Sequence, residues 1–385
     1  MAHTTIVLGA GVGGIATANE LQRRATRGDR ITVIDRNPIH VFAPSLLWLA
    51  VGSRRARDIQ RPVKALLRRG VEFLSGTVDA INVKTRTVEL DGKEISADAI
   101  VVALGAELAP DAIPGLAESG HNFYTLAGAQ SLHDALLRFG GGNIVVLTAA
   151  PLYKCPAAPY EAAMLIEAMV RRRGLRKKTT MEMYAAEPAP MGVAGPAVSA
   201  ALKSMLSEKG ITYSANRQVV SVDPISRLVK FADGSSVSYD LLAYVPTHRA
   251  TTLAVESGLA DESGWIPVDR GTLETSYDGV YAIGDITTIP LSMGKPLPKA
   301  GVFAHAQARV VACNIAARRR SHPIVAKFDG QGACFVETGD TKAAIGSGDF
   351  FAEPSPKITL RPPSLKWHLV KVLVEKRWLM RWLKP

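Results

Sequence analysis

The chain opens with Ile6-Val7-Leu8-Gly9-Ala10-Gly11-Val12-Gly13-Gly14, an apolar strand followed by a glycine-rich turn and a helical run. Gly9, Gly11 and Gly14 have the spacing that lets a chain turn tightly, approach a pyrophosphate with backbone N–H groups and pack a helix on its strand. The N-terminus of that helix would face the phosphates with the positive end of its dipole. A second apolar strand ends in Asp35, where a ribose-binding carboxylate belongs. Together these features predict a dinucleotide-binding fold.

The length and composition predict a globular α/β protein of two domains with an appendage, because 385 residues exceed one ordinary core and 47% of them are hydrophobic. No apolar run approaches the length of a bilayer crossing. No charged leader with an apolar segment precedes the first strand, so we expect no secretory signal and a location in the cytoplasm or on the cytoplasmic face of a membrane. The formal charge of +11 favours an anionic partner. A membrane surface, a nucleic acid and a small anion all fit that charge.

The three cysteines of the chain, Cys155, Cys313 and Cys334, are too few for a disulfide framework. No pair of them has zinc-ligand spacing, so no metal site is predicted. Cys313 lies in a helical apolar pattern and is expected to pack as a small hydrophobic side chain. The other two lie in segments that we predict to be loops.

A second unit repeats the plan of the first, with a predicted helix over 129–139, a buried strand over 144–148 and a helix over 160–173. Its loop, residues 149–159, contains three prolines and no glycine. Proline has no N–H to offer a phosphate, and the side chains of the loop block close backbone approach. We therefore expect no NAD(P)H in this second fold, with a divergent nicotinamide site as the alternative.

Several segments are expected to border the ligand of the first fold. The loop that contains Pro44 follows Asp35, and a buried strand leads through Ala103 to Gly105. A later strand closes with Gly284 and Asp285, whose carboxylate is suited to a polyol. A helix that is predicted to begin after the stretch Lys299-Ala300-Gly301-Val302-Phe303 would stabilise negative charge on a ligand ring.

The predicted division places residues 1–107 and 250–322 in one dinucleotide-binding domain. Residues 108–249 form the second Rossmann-like domain, and residues 323–385 form a C-terminal region.

With these motifs in place, the chain resembles the flavoproteins of the two-dinucleotide-fold disulfide reductase superfamily, and more closely the sulfide:quinone oxidoreductase and flavocytochrome c sulfide dehydrogenase family. The stretch Tyr153-Lys154-Cys155-Pro156-Ala157-Ala158-Pro159-Tyr160-Glu161 is similar to that family's first redox-cysteine motif. The stretch 298–304 resembles its flavin-covering helix start, and Gly332-Ala333-Cys334-Phe335 resembles its second redox cysteine with the aromatic residue that contacts quinone.

The resemblance implies FAD as the cofactor, with Asp35 on the adenosine ribose and Asp285 on the ribityl chain. It implies that Cys155 and Cys334 face the flavin as a disulfide or a sulfur-bridged pair, which sulfide attacks. Two electrons would then pass through the flavin to quinone on the opposite face, beside Phe335. Glu161 is a candidate to handle protons, and a solvated first-turn acid is the alternative.

The chain departs from the family pattern in two places. Many quinone-linked members have a third essential cysteine, whereas no cysteine precedes Cys155 here. His305 stands where relatives commonly have an acid; it would either tune the flavin environment or be a plain surface histidine. The resemblance leaves three alternatives open: a soluble sulfide dehydrogenase that reduces a cytochrome, an enzyme like type II NADH:quinone reductase, and a non-catalytic flavin-binding sensor.

The C-terminal tail, residues 364–384, has three tryptophans and six Lys or Arg against one acid. This composition is typical of an interfacial membrane segment, and we predict a peripheral, monotopic contact with a membrane. The tail shows no single apolar stripe, so two short helices are expected. A helix packed on the core or in a dimer interface is the alternative, and a homo-oligomer stays open. The basic stretch 171–178 lacks interleaved aromatics, so no nucleic acid partner is predicted.

Overall fold

The computed structural model describes residues 2–324 and 326–380. Its first sheet is entirely parallel, and the opening strand lies at its centre. Both faces of this sheet are covered, so side chains such as those of Ile6 and Val7 are fully buried. This arrangement confirms the predicted α/β class. The strands run in the spatial order Val280–Ala282, Ala99–Val102, Thr4–Leu8, Arg30–Asp35 and Val71–Ser75.

The glycine-rich turn has the tight geometry that its sequence predicts. Gly9 has a φ of +99°, and a Cβ added there would lie 2.5 Å from the carbonyl oxygen of Ala103. A Cβ at Gly14 would lie 1.8 Å from the carbonyl oxygen of Gly9, so only glycine allows the following helix, Val12–Gln22, to pack this closely on the turn. That helix also packs against the long helix Gly301–Arg319.

A second parallel sheet repeats the plan. Its strands run in the order His121–Asn122, Leu241–Val245, Gly142–Thr148, Thr179–Tyr184 and Thr212–Ser214. The helix that follows its central strand, Ala158–Arg172, has Pro159 in its first turn and two arginines in its last, which suits both helix ends. The antiparallel ribbon of Glu107–Ala109 with Thr247–Arg249 joins the two halves. Two of the three predicted domain boundaries, at 107/108 and 249/250, fall at this ribbon, and the division stays a prediction.

The C-terminal region is a three-stranded antiparallel sheet followed by one helix, Leu365–Met380, which we call the C-terminal helix. The sheet consists of Gln331–Gly339, Lys342–Asp349 and Lys357–Ser364. Two short helices were therefore the wrong prediction for residues 365–380, while the rest of the tail, residues 381–385, lies outside the described part. No helix in residues 2–324 and 326–380 has the length and apolar character needed to cross a membrane.

The remaining elements are shorter or peripheral. The other helices are Leu46–Ala50, Val63–Leu66, Leu116–Ser119, Leu126–Arg138, Pro196–Glu208 and Thr252–Glu256. The other strands are Ile39–Val41, Gln60–Pro62, Val78–Asn82, Thr87–Leu90, Lys93–Ser96, Val219–Asp223, Leu228–Phe231, Ser236–Ser238, Ile266–Pro267 and Thr287–Thr288.

Candidate active site

The glycine loop and Asp35 form a cradle at the carboxyl end of the first sheet. A Cβ at Gly11 would meet nothing within 4 Å, so the backbone here is open to a ligand. The carboxylate of Asp35 accepts hydrogen bonds from the backbone N–H groups of Ala10 at 2.6 Å and Asn37 at 2.7 Å. These contacts fix the carboxylate beside the loop, where the ribose of a dinucleotide would bind.

Asp285 provides the second polar anchor of this cradle. Its Oδ1 atom is buried and has no hydrogen-bond partner in the described part of the chain. Burial raises the pKa of this carboxyl group, while the Lys154 and Lys299 cations oppose the shift. A buried carboxylate oxygen of this kind needs a polar ligand. The hydroxyl groups of a ribityl chain would supply one, so the site fits the chemistry of FAD.

Lys299 closes the same end of the cradle. Its Nζ donates to the backbone oxygens of Asp285 at 2.7 Å and Thr287 at 3.0 Å, and it lies 3.4 Å from the ring centroid of Trp265. Burial lowers the pKa of Lys299 to about 8, against the attraction of Asp285. This lysine therefore holds the strand end that presents the Asp285 side chain.

The other predicted cofactor residues lie at or close to the ends of strands and helices. Gly105 and Gly284 both have left-handed φ values, +74° and +75°. A Cβ at Gly301 would lie 3.8 Å from Val12, so the N-termini of two helices are neighbours. The long helix thus begins at Gly301, two residues before Phe303, after which its start was predicted. The remaining three predicted positions are half-buried Val302, exposed Pro44 and buried Ala103. Their contacts with FAD stay a prediction.

Cys155 lies in the loop before the helix Ala158–Arg172, in an unusual conformation. Its φ is +52°, in the left-handed region that residues other than glycine rarely adopt. Its N–H donates to the carbonyl oxygen of Lys299 at 2.6 Å, so the loop is joined to the cofactor cradle. The Tyr124 hydroxyl donates to the carbonyl oxygens of Lys154 and Cys155, at 2.8 and 3.2 Å.

Cys334 lies within the strand Gln331–Gly339, opposite Gly346, and not in a loop as predicted. The two thiols are free in this structure. Burial, with the charges of Glu161 and Cys334, raises the pKa of Cys155. Burial and Glu161 raise the pKa of Cys334 to about 11. The fold thus brings both cysteines into the electrostatic range of one carboxylate, and Phe335 lies next to Cys334 in the same strand.

Glu161 is buried at 4% exposure, so a solvated first-turn acid was the wrong alternative. Its Oε1 atom accepts the backbone N–H of Glu337 at 2.6 Å and the ammonium group of Lys371 at 2.7 Å. The Glu337 carboxylate lies 3.0 Å from Nδ1 of His368. Lys371 opposes the effect of burial and lowers the pKa of both cysteines. The residues Cys155, Cys334 and Glu161 are called the cysteine site below. The C-terminal helix therefore supplies a buried cation to the cysteine site.

Sequence reasoning missed this role of the C-terminal helix because the tail lysines were interpreted as interfacial charges. Glu375 is also turned inward and pairs with Arg54 at 2.7 Å. Trp378 donates to His40 Nε2 at 3.2 Å, and Nδ1 of His40 donates to the carbonyl oxygen of Ala10 at 3.0 Å. The same helix thus reaches the glycine loop. His305, which the sequence left open, is half-buried with its ring edge-on to Trp378.

His248 is a further buried side chain near the cysteine loop. Its Nδ1 donates to the carbonyl oxygen of Pro246 at 2.8 Å, and its ring meets the ring of Tyr124 edge to face. Its Nε2 is buried and has no hydrogen-bond partner within the residues described. Burial lowers the pKa of this imidazole to about 3, and the cations of Lys154 and Lys299 act in the same direction.

The family described as pyridine nucleotide-disulphide oxidoreductase matches residues 3–308. The chain therefore belongs to the pyridine nucleotide-disulphide oxidoreductase family. It is an oxidoreductase, and its cofactor is FAD, as the sequence predicted.

Comparison with individual proteins identifies a narrower group of similar enzymes within this family. The mitochondrial sulfide:quinone oxidoreductase of Mus musculus is 27% identical over 369 residues, which cover 91% of this chain and 79% of the relative. The sulfide-quinone reductase of Aquifex aeolicus is 28% identical over 399 residues, covering 99% and 91%. The crystal structure of sulfide:quinone oxidoreductase from Aquifex aeolicus superimposes with a TM-score of 0.89 at 25% identity, covering 99% of this chain and 92% of that one. These comparisons confirm the family resemblance stated from the sequence.

Proposed function

We propose that this protein is an FAD-dependent sulfide:quinone oxidoreductase in which Cys155 and Cys334 form the redox pair. Two observations carry this proposal: the charge of one buried carboxylate, Glu161, raises the pKa of both cysteines, and the N–H of Cys155 donates to Lys299 of the cofactor cradle at 2.6 Å. The relatives named for sulfide and quinone cover most of the chain, which supports the same substrates here. We also propose the domain division at 107/108, 249/250 and 322/323.

The proposed sulfide step is a thiol–disulfide exchange. Sulfide attacks one sulfur of the oxidised pair, the bond between the two cysteines breaks, and a persulfide and a cysteine thiolate are formed. When the persulfide and the thiolate join as a sulfur-bridged pair, one proton and two electrons are released. FAD, when bound, would accept these two electrons and pass them to quinone. Burial disfavours the thiolate form of Cys334, and the Lys371 cation offsets part of that cost. We assign Glu161, which pairs with Lys371, to exchange the proton of the thiol.

We propose that the second fold does not bind NAD(P)H. The loop between the strand Gly142–Thr148 and the helix Ala158–Arg172 contains two prolines and no glycine, and a third proline, Pro159, lies in the first turn of the helix. Its helix also begins only at Ala158, ten residues after the strand, whereas the helix of the first fold begins four residues after Leu8. Electrons therefore enter through the cysteines and not through a nicotinamide.

We propose that the C-terminal helix rests on a membrane. The charged side chains of Lys371 and Glu375 are buried in this helix, whereas the leucines Leu369 and Leu373 are 56% and 64% exposed. An exposed row of leucines with neighbouring cations suits a lipid interface. Quinone would then arrive from the bilayer, with Phe335 as its predicted contact. This proposal includes a peripheral location on the cytoplasmic face of the membrane. It is compatible with a homo-oligomer.

The sulfide reaction is tested by anaerobic titration of the flavin spectrum of the purified holoenzyme. Sulfide should bleach the flavin, and added quinone should restore it. A flavin that sulfide does not bleach would contradict the function. Bleaching that only a cytochrome reverses would favour the soluble sulfide dehydrogenase, and bound flavin with no turnover would favour a sensor.

The membrane contact is tested with the double variant Leu369→Glu and Leu373→Glu. Removing the whole helix would be a poor test, because it would also remove Lys371 from the cysteine site. The double variant should bind liposomes weakly and reduce a long-tailed quinone slowly, with unchanged sulfide-driven bleaching. Leu137→Glu, at a leucine that is 53% exposed on another helix, is the matched control. Equal liposome binding by the double variant and the control would contradict the membrane proposal.

A further inference from the structure

A buried carboxylate that the proposed chemistry does not use lies behind the cysteine loop. Glu187 follows the strand Thr179–Tyr184 and is 7% exposed. Its Oε2 atom accepts the hydroxyl of Thr148 at 2.7 Å. Its Oε1 atom accepts the hydroxyls of Tyr153 at 2.5 Å and Tyr160 at 2.6 Å. Three hydroxyl donors on one buried carboxylate form a fully internal hydrogen-bond network.

The three donors come from three different elements around Cys155. Thr148 is the last residue of the central strand of the second sheet, and Tyr160 lies in the first turn of the next helix. Tyr153 precedes Cys155 by two residues in the loop between them. Burial raises the pKa of Tyr153 and of Tyr160, with the Glu187 charge acting in the same direction, so both hydroxyls stay protonated as donors. Glu187 therefore joins the strand, the loop and the helix at one point.

The loop needs such support because its backbone is strained at the cysteine. Cys155 has a φ of +52°, and residues other than glycine hold that conformation only when the surrounding structure enforces it. The hydrogen bond from its N–H to Lys299 restrains one side of the residue. The Glu187 network restrains Tyr153 on one side and Tyr160 on the other. The direction of the Cys155 thiol therefore depends on both sets of contacts.

The position of Glu187 in the second fold matches that of Asp35 in the first. Asp35 ends the strand that follows the central strand of the first sheet, and Glu187 stands three residues beyond the strand that follows the central strand of the second sheet. A carboxylate at this point would hydrogen-bond a dinucleotide ribose. Here its two oxygens are occupied by Thr148, Tyr153 and Tyr160, so the carboxylate serves the loop and not a ribose.

We infer that Glu187 is a positioning residue for the redox chemistry, which fixes the Cys155 loop through Tyr153 and Tyr160 so that the thiol faces sulfide and Cys334. This inference rests on the proposed function. Glu187 acts on the reaction only through the loop, and its loss should slow the sulfide step without affecting the quinone step.

The test compares Glu187→Gln, Tyr153→Phe and Tyr160→Phe in the holoenzyme with the control Tyr244→Phe. Tyr244 is a buried tyrosine of the same sheet, and it is not among the hydroxyl donors to Glu187 in the described part of the chain. Stopped-flow absorbance measures flavin reduction by sulfide and its reoxidation by a short-chain quinone. We expect reduction by sulfide to slow on the order of 10- to 100-fold, as misplacement of a reacting group does, while reoxidation and the control keep the wild-type rates.

A second readout is independent of turnover. The reduced holoenzyme is alkylated with iodoacetamide, and mass spectrometry gives the rates at Cys155 and Cys334. The variants should change the rate at Cys155 severalfold relative to that at Cys334. The inference would be overturned if the ratio of the alkylation rates at Cys155 and Cys334 stayed unchanged and sulfide reduced the flavin at the wild-type rate. Equal acceleration of alkylation at both cysteines would also overturn it, because that result indicates a general loss of packing. If sulfide does not bleach the flavin of the wild-type protein, the proposed function is wrong. A selective change in the alkylation rate of Cys155 would in that case still support the role of Glu187 in fixing the Cys155 loop.

Discussion

Replacing Lys371 with methionine tests whether the C-terminal helix supplies the charge of the cysteine site. Methionine keeps an apolar stem but removes the ammonium group that lies 2.7 Å from Glu161. Both side chains are buried, and removal of one partner from such a pair costs about 3–5 kcal/mol. For 385 residues the entropy of unfolding is about 0.8 kcal/mol per kelvin. The melting temperature should therefore fall by about 4–6 °C.

Differential scanning fluorimetry of the holoenzyme measures this shift, and Lys376→Met, at an exposed lysine of the same helix, should leave the melting temperature unchanged. The double variant with Glu161→Gln should recover part of the loss, because it removes the unpaired charge. The Lys371 cation also lowers the pKa of Cys334, so alkylation of Cys334 at mildly alkaline pH should slow in Lys371→Met. A melting temperature equal to that of Lys376→Met, or strictly additive effects in the double variant, would refute the reasoning.

Three further predictions follow from the site. Cys155→Ser and Cys334→Ser should each abolish bleaching of the flavin by sulfide and keep FAD bound. Cys313→Ser, within the long helix, should behave as wild type. A disulfide between Cys313 and either other cysteine in mass spectra would contradict the pairing of Cys155 with Cys334. NADH should not bleach the flavin, because loop 149–159 lacks glycine, and rapid anaerobic bleaching would show the opposite. Burial lowers the pKa of His248 from 6.5 to about 3, so between these two pH values the folded protein binds fewer protons than the unfolded chain. Stability should therefore fall by about 1.4 kcal/mol for each pH unit of acidification within that window. Melting temperatures of His248→Leu should therefore fall less steeply with acidification, and equal slopes would argue against a neutral imidazole.

The fold was predictable where local sequence carries the physical cause. The strand Leu241–Val245 begins and ends where its apolar run does. The glycine turn was predictable because Gly9 and Gly14 meet neighbouring backbone at distances that no side chain allows. The start of the long helix was predicted after Phe303, whereas the helix begins at Gly301, beside Val12 of the first helix.

The cysteine site was predictable only in part. The motifs around Cys155 and Cys334 identify the two thiols, but their common neighbour Glu161 lies near Cys334 only through the tertiary fold. Glu187 carried no local signal, because its three donors are 27 to 39 residues away in sequence. Lys371 was misinterpreted for the same reason: a lysine in a basic tail has the composition of a surface residue until its buried partner is known.

The structure of the C-terminal helix explains why the tail shows no single apolar stripe in its sequence. Apolar residues lie on both of its faces: Leu369 and Leu373 are exposed, whereas Trp378 is buried against the first fold. Charged residues are likewise divided, so no single stripe exists to be found in the sequence. The division has a chemical consequence for the proposed enzyme. This single helix of 16 residues carries the Lys371 cation, which opposes the high pKa of the cysteines. It also carries the leucines that would contact the bilayer. Detaching the helix should therefore impair both half-reactions, whereas changing only its leucines should impair quinone reduction alone.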